Sequence, residues 1–242
     1  RHVSHELKTP LTAVREGAEL LRDNVGGRLS TEQQDIVRIV RENTLSLQKL
    51  IEDLLTYHQT RAMEPQAQGP VSLPEVVSGV LREQKLAALA RMITFADDLA
   101  PLVVVGDAEK IRTVVDNLLS NAIKYSPRSG VIGLSLFAQD GFAVLDVTDH
   151  GPGIAPAERE RVFDSFYSGK APVDGKVKGS GLGLAIAREY AVAQAGRLEV
   201  LDRADGKRGI RFRLWLPLSA GAGVAAAADV SRPAPVTVGR HK

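Results

Sequence analysis

The sequence predicts an α+β protein in which an antiparallel helical hairpin precedes an α/β sandwich with a largely antiparallel sheet. Apolar residues recur every three or four positions over residues 1–61, which is the period of an amphipathic helix. A stretch rich in Pro, Gly and Gln at 62–70 then interrupts the pattern. From Val71 onward, strand patterns alternate with helical ones, which indicates a second domain over 71–218.

Composition excludes several classes of protein. The chain has 242 residues, enough to bury the cores of two modest domains. Its net charge of +2 is too small to indicate nucleic acid or an acidic membrane surface as the main partner. The absence of cysteine excludes a disulfide framework and Cys-based zinc sites. No apolar run approaches the roughly 18 residues of a membrane span. We expect a fragment of a longer protein that contacts neither nucleic acid nor membrane.

The first 61 residues predict two long helices. Asn24–Gly27 ends the first, and Ser30 with Gln33 three residues later forms a capping-box pattern for the second. The second helix has an apolar stripe too wide for one partner helix. Its members are Ile36, Ile39, Val40, Leu47, Leu50, Ile51, Leu54 and Leu55. Two such hairpins can form a dimeric four-helix bundle, or a single hairpin can pack on its own domain.

The second domain alternates helices and strands. We predict helices at 74–91, 107–125 and 182–195, and strands at 93–96, 102–105, 131–138, 142–148, 197–202 and 209–217. Asp205-Gly206 supplies the turn between the last two strands. After the domain, residues 219–242 are rich in Ala, Gly and Pro and have almost no large apolar side chain, which predicts a disordered tail.

A narrow polar stripe lies beside the core-facing stripe of the helix at 107–125. Its members are Asn117, Asn121, Lys124 and Tyr125, at positions i, i+4, i+7 and i+8. Amide oxygens are hard ligands suited to Mg²⁺, which also takes phosphate oxygens and waters. The stripe therefore fits an ion and a polyphosphate. An ordinary solvated helix face fits it as well.

Two glycine-rich segments add to this pattern. Asp149-His150-Gly151-Pro152-Gly153 follows a strand, and its carboxylate can accept a hydrogen bond from the exocyclic amine of adenine while disfavouring the guanine carbonyl. Gly179-Ser180-Gly181-Leu182-Gly183 precedes a helix, whose N-terminus favours phosphate. Neither a Rossmann nor a P-loop pattern fits, and each segment alone also fits a simple turn. The basic stretch at 164–178 suits a mobile flap, with Phe163 and Phe166 anchoring it or packing in the core.

Together these segments resemble the motifs of the histidine kinases, in the family's order. The N box is similar to Asn117–Tyr125, the G1 box to Asp149–Gly153, the F box to Phe163–Phe166, the G2 box to Gly179–Gly183 and the H box to Ser4-His5-Glu6-Leu7-Lys8-Thr9-Pro10-Leu11. The resemblance covers residues 5–217. The segment Arg15–Leu21 is also similar to the QseE/GlrK type of enterobacterial sensor kinase.

The resemblance implies a fold and a nucleotide site. The fold is a dimeric four-helix bundle joined to a Bergerat-type ATP-binding sandwich. Asn121 would bind Mg²⁺ with support from Asn117, and Asp149 would bind adenine. The remaining implied contacts to ATP come from Lys124, Tyr125, Gly151, Gly153, Phe166, Gly179, Gly181, Leu182 and Gly183.

The resemblance also implies phosphotransfer chemistry. His5 would accept the γ-phosphoryl group, with Glu6 as base, and pass it to an aspartate of a response regulator. Thr9 would serve in dephosphorylating that regulator, or simply bond to its own helix. The chain would be the cytoplasmic part of a protein anchored in the bacterial inner membrane. Two alternatives remain, namely a serine kinase of the anti-sigma type and a pseudokinase that acts as a dimeric scaffold.

Overall fold

The computed structural model describes residues 2–60, 68–167 and 180–219. Three predicted features lie mostly outside these ranges. They are the linker at 62–70, the basic flap at 164–178 and the tail at 219–242. None of the helices in the described ranges combines the length and hydropathy that crossing a membrane requires.

The N-terminal helical hairpin forms as predicted. Its helices are α1 (His2–Arg22), which contains Pro10, and α2 (Thr31–Thr60). The predicted capping box starts α2, because the Gln33 backbone N–H donates to Ser30 Oγ at 3.2 Å and the Ser30 N–H donates to Gln33 Oε1 at 2.9 Å. Local sequence therefore sets the point at which the chain reverses.

A broad apolar surface of the helical hairpin stays exposed. Glu19 pairs with Arg41 across the two helices at 3.2 Å, and near the end of α2 Leu54 packs against the core of the second domain. The exposed apolar side chains on the two helices are Val14, Leu20, Leu21, Ile36, Ile39, Val40, Leu45 and Leu47. Packing on the second domain thus leaves this apolar surface exposed in the single chain.

The second domain is a sandwich of three helices on a five-stranded sheet. Its elements are β1 (Gly69–Ser72), α3 (Leu73–Ala90), β2 (Thr94–Leu99), β3 (Val103–Gly106), α4 (Ala108–Tyr125), β4 (Val131–Gln139), β5 (Phe142–Asp149), α5 (Gly183–Ala193), β6 (Arg197–Leu201) and β7 (Ile210–Pro217). The sheet order is β2-β4-β5-β7-β6, and only the β2–β4 pair is parallel. The predicted fold class is confirmed.

Helix α4 lies at the centre of the core. Asp107 caps it, because its carboxylate accepts hydrogen bonds from the backbone N–H groups of Glu109 and Lys110. The core-facing stripe of α4 is buried, and Leu118 and Leu119 are fully inaccessible. Its members are Ile111, Val115, Leu118, Leu119 and Ala122. Truncating either to alanine would cost about 2–5 kcal/mol. The core therefore fixes the rotation of α4, and with it the direction of the polar stripe.

Two local predictions were incomplete. Gly69 and Pro70 belong to β1, which pairs with β3 in a separate two-stranded sheet, whereas the sequence placed them in the linker. An edge strand tolerates proline, so the loop-like composition was misleading. The turn between β6 and β7 is centred on Ala204 and Asp205, and Gly206 closes it by donating its N–H to the Arg203 carbonyl at 3.1 Å.

Candidate functional site

The polar stripe of α4 is half-buried and meets the start of α5. The Asn117 side chain donates to the Thr113 carbonyl at 3.0 Å, which fixes the amide with its oxygen on the side of Gly183. A Cβ atom built on Gly183 would lie 2.6 Å from that Asn117 oxygen. Two of the predicted motifs therefore touch at this point, and a larger residue at 183 would displace the Asn117 amide.

The Asp149 loop, residues 149–153, meets the other end of α4. The side chain of Asp149 is 3% exposed, and its Oδ1 accepts a hydrogen bond from the Gly151 N–H at 2.7 Å. Burial raises the pKa of Asp149, while hydrogen bonds from the Gly151 and Ile210 backbones oppose that shift. A Cβ on Gly151 would lie 2.8 Å from the Tyr125 carbonyl oxygen. Glycine again permits the contact between two motifs.

The Gly181 segment turns the chain into α5. Gly181 has φ +71°, and its carbonyl accepts the Phe166 N–H at 3.0 Å. A Cβ there would lie 2.7 Å from the Phe166 carbonyl carbon, so no other residue fits without moving the backbone. The Leu182 side chain is fully buried in the core, so its backbone is the part that can face a nucleotide.

Lys124 and Tyr125 close the C-terminal end of the polar stripe. The Lys124 Nζ lies 5.2 Å from the centroid of the Tyr125 ring. Burial lowers the pKa of Lys124 and raises that of Tyr125. A half-buried ammonium group of this kind is stabilised by an anion, so an arriving phosphate would recover part of the desolvation cost.

Asn121 lies between these two ends of the stripe, one turn after Asn117. Among the described residues, none hydrogen bonds to its amide group, so the oxygen is available to a ligand. A single amide oxygen fits Mg²⁺, which binds one or two protein groups and completes its shell with phosphate oxygens and waters.

Core packing, the alternative predicted for the two phenylalanines, holds for Phe163 and not for Phe166. Phe163 is buried, and the guanidinium carbon of Arg188 lies 5.1 Å from the centroid of its ring. Phe166, in contrast, has φ +65° and is 60% exposed, because its main chain turns to pair with Gly181. Its side chain therefore does not pack in the core.

Several predicted site residues fall outside the described part of the chain. Gly179 is one, together with the side chains of His5, Glu6 and Thr9, whose backbones lie in α1.

Gly153 is described and has φ +79°. It sits against the backbone of Gly209, where a Cβ on Gly153 would lie 3.2 Å from the Gly209 carbonyl oxygen.

Sequence reasoning missed two residues that contact the Asp149 loop. Arg203 Nη1 donates to the Asp149 carbonyl oxygen at 3.1 Å, and Gly209 packs directly on the same carbonyl. Both lie in the β6–β7 loop, residues 202–209, which the sequence indicated only as a turn. A glycine directly before the last strand was the one local signal that a close backbone approach occurs there.

Family comparisons agree with this geometry. Residues 106–220 match the family described as histidine kinase-, DNA gyrase B- and HSP90-like ATPases, and residues 1–62 match the His kinase A (phospho-acceptor) domain. Fold and site thus define an ATPase of that class, preceded by a phospho-acceptor domain. The chain belongs to the sensor histidine kinases.

Individual relatives support the same family. Sensor histidine kinase QseE of Escherichia coli O157:H7 is 39% identical over 90% of this chain and 46% of its own length. Signal transduction histidine-protein kinase/phosphatase MprB of Mycobacterium avium is 35% identical over 88% of this chain and 41% of its own. The chain spans about half the length of these curated relatives. The predicted similarity to the QseE/GlrK type is confirmed.

Solved structures show the same fold. The crystal structure of full-length ShkA in complex with AMPPNP superposes with a TM-score of 0.71 at 29% identity, covering 91% of this chain and 46% of that one. A structure of the mycobacterial sensor histidine kinase MprB covers 63% of this chain and 98% of its own, at 36% identity and a TM-score of 0.55.

Proposed function

We propose that the chain binds Mg-ATP between α4, the Asp149 loop and the start of α5, and phosphorylates its own His5. One observation supports the site above all. Three motifs far apart in sequence converge, with Asn117 against Gly183 and Tyr125 against Gly151, and a Cβ on either glycine would crowd its neighbour. Such glycine-dependent approaches leave room for a ligand's phosphates to contact the main chain.

Each part of the site has a separate task. The Asp149 carboxylate accepts a hydrogen bond from the exocyclic amine of adenine. First-turn N–H groups of α5, beginning at Gly183, and the Lys124 ammonium bind the phosphates. Asn121 would hold Mg²⁺, which when bound neutralises charge on the phosphate oxygens. Adenine then lies at the C-terminal end of β5, and the γ-phosphoryl group points away from it.

The phosphotransfer step is a displacement at phosphorus. A neutral imidazole nitrogen of His5 attacks the γ-phosphorus, and the bond from that phosphorus to the bridging oxygen breaks to release ADP. Glu6 accepts the proton from the other ring nitrogen. The resulting phosphoramidate is reactive enough to pass its phosphoryl group to an aspartate of a response regulator. Thr9, one turn after His5, would orient the water that dephosphorylates the response regulator in the opposing activity.

The helical hairpin supplies the dimer interface in this proposal. A second copy of the chain covers the exposed apolar stripe of α1 and α2 and completes a four-helix bundle. The parent protein would be a sensor anchored in the bacterial inner membrane.

The proposal is tested by incubating the chain with γ-labelled ATP and Mg²⁺. Label that survives alkali and is lost in acid identifies phosphohistidine. Acid-stable label would favour a serine kinase of the anti-sigma type. A chain that binds ATP without becoming labelled would favour a pseudokinase scaffold.

Gly183→Ala is expected to reduce Mg-ATP affinity several-fold while leaving the fold intact. The new methyl group meets only side-chain atoms, Asn117 Oδ1 at 2.6 Å and Cγ at 3.4 Å, so the Asn117 amide moves and the backbone does not. Alanine also favours a helix over glycine by about 1 kcal/mol in helix interiors. Calorimetric titration and thermal melts measure the two effects. If the affinity loss is equally large in an Asn117→Ala background, the displacement of Asn117 is not its cause.

Asp149→Asn is expected to weaken ATP binding by about 10- to 100-fold, the worth of a hydrogen bond to a charged group. The Gly151 N–H needs the amide oxygen at the Oδ1 position, so the amide NH₂ group would take the other position and face the adenine amine. The matched control is Asp146→Asn on the same strand. Asp146 accepts two hydrogen bonds from Arg213, both at 2.7 Å. Breaking this pair should lower the free energy of unfolding and leave the affinity for ATP unchanged.

The same variant has a defined pH dependence. Because burial raises the pKa of Asp149 above its ordinary 3.8, the folded state binds more protons than the unfolded state just above that pH. The carboxylate's contribution to stability therefore falls as pH rises through this window and stays low above it. As pH rises through the same window, we expect the unfolding free energy of Asp149→Asn to increase relative to that of the wild type. A difference that does not change with pH would contradict the desolvated carboxylate.

A further inference from the structure

We propose that Arg203, in the β6–β7 loop, is a positioning residue that holds the Asp149 carboxylate in the orientation that reads adenine. This inference rests on the proposed role of Asp149. It assigns to the loop between the last two strands a part in base specificity.

Arg203 is placed to fix the main chain at Asp149. Its side chain is only 7% exposed, and Nη1 donates to the Asp149 carbonyl oxygen at 3.1 Å. The rest of the guanidinium is bound by Asp205, which accepts from Nε at 2.9 Å and from Nη2 at 2.6 Å. A bidentate pair of this kind sets the plane of the guanidinium. Arg203 holds the pKa of Asp205 well below its usual range, so the pair stays charged.

The loop is also shaped to lie against both ends of the Asp149 loop. Gly209 has φ +135°, and a Cβ there would overlap the Asp149 carbonyl oxygen. Arg208 Nε donates to the Pro152 carbonyl at 3.4 Å. The contact of Gly153 with the Gly209 carbonyl completes a continuous interface. Two glycine backbones and two arginine side chains thus make this contact, and Arg203 is the buried one of the two arginines.

Fixing the main chain fixes the carboxylate. The two backbone donors to the Asp149 carboxylate come from Gly151, two residues further along, and from Ile210, which directly follows Gly209. Both donors belong to segments that the β6–β7 loop holds in place. The positive charge of Arg203 also favours the ionised form of Asp149, against its burial. Removing Arg203 would therefore loosen the acceptor that adenine meets, without removing any group that touches ATP.

The test compares ATP with purine riboside triphosphate, which lacks the exocyclic amine. The ratio of the two affinities, measured by calorimetry with Mg²⁺ present, reports the hydrogen bond to Asp149 alone. We expect Arg203→Met to reduce ATP affinity about tenfold and to change affinity for the analogue less than twofold. The ratio of the two affinities therefore falls. Arg203→Lys should restore the ratio partly, because it keeps the charge but not the planar fork. Asp205→Asn should lower the ratio less, and it keeps the test available if Arg203→Met does not fold.

Two controls separate the possible failures. Arg197, at the start of β6, stacks on Trp215 with its guanidinium carbon 4.0 Å from the ring centroid. Arg197→Met should leave the ratio of the two affinities unchanged. Asp149→Asn should bind ATP no more tightly than the analogue, because it lacks the carboxylate that accepts from the adenine amine. A preserved ratio in Asp149→Asn would overturn the proposed reading of adenine, and this inference with it. A ratio that collapses in Asp149→Asn but stays at the wild-type value in the Arg203 variants would overturn the positioning role alone.

Discussion

Replacing Asn121 by alanine is expected to abolish the Mg²⁺-dependent part of ATP affinity. The amide oxygen of Asn121 is the proposed ligand of the ion, and Mg²⁺ bound by only one or two protein groups depends strongly on each of them. ATP affinity in Asn121→Ala should fall at least tenfold with Mg²⁺ present and become nearly equal with and without the ion. Calorimetric titration in excess Mg²⁺ and in chelator measures both values.

The adjacent Ser120 supplies the matched control for that experiment. Its hydroxyl donates to the Asn117 carbonyl at 3.2 Å, within the same helix. Ser120→Ala should retain the Mg²⁺ dependence of the wild type, and both variants should melt close to it. An Asn121→Ala variant that binds Mg-ATP as the wild type does would contradict the assignment of the ligand.

Replacing His5 by alanine is expected to eliminate phosphoryl transfer while ATP affinity stays unchanged. The imidazole is the proposed nucleophile, and it belongs to the helical hairpin, whereas the nucleotide site is built from α4, α5 and the Asp149 loop. Incorporation of labelled phosphate and calorimetric ATP titration, run on the same preparation, separate chemistry from binding.

His2 is the natural control, because it is also a histidine and lies one turn earlier in α1. His2→Ala should become labelled at close to the wild-type level. Equal labelling of His5→Ala and the wild type would contradict the choice of acceptor, and lost labelling in His2→Ala alone would move the acceptor to His2.

Local patterns predicted most of the fold and much of the site. The capping box of Ser30 with Gln33, the Asp107 cap and the rotation of α4 each depend on residues within one or two turns. Such features can be inferred from spacing alone. The polar stripe follows directly from that rotation, because the core-facing residues of α4 fix which residues border them.

What the sequence did not predict depends on partners distant in the chain. β1 is a strand because Gly69 pairs with Gly106, and its own composition indicates a loop. Arg203 reaches a carbonyl 54 residues earlier, and nothing in its neighbourhood signals that contact. The exposure of Phe166 follows from a positive φ that pairing with Gly181 imposes, whereas its spacing from Phe163 indicates shared burial.

The most direct test of the central claim is to locate the phosphoryl group after the intact chain has been incubated with Mg-ATP. Digestion under alkaline conditions followed by fragment mass spectrometry can distinguish His5 from the neighbouring hydroxyl residues Ser4 and Thr9. We expect one phosphoryl group on the His5 imidazole, lost on brief acid treatment. A phosphoryl group on Ser4 or Thr9, or none on a chain shown to bind Mg-ATP, would contradict autophosphorylation at His5.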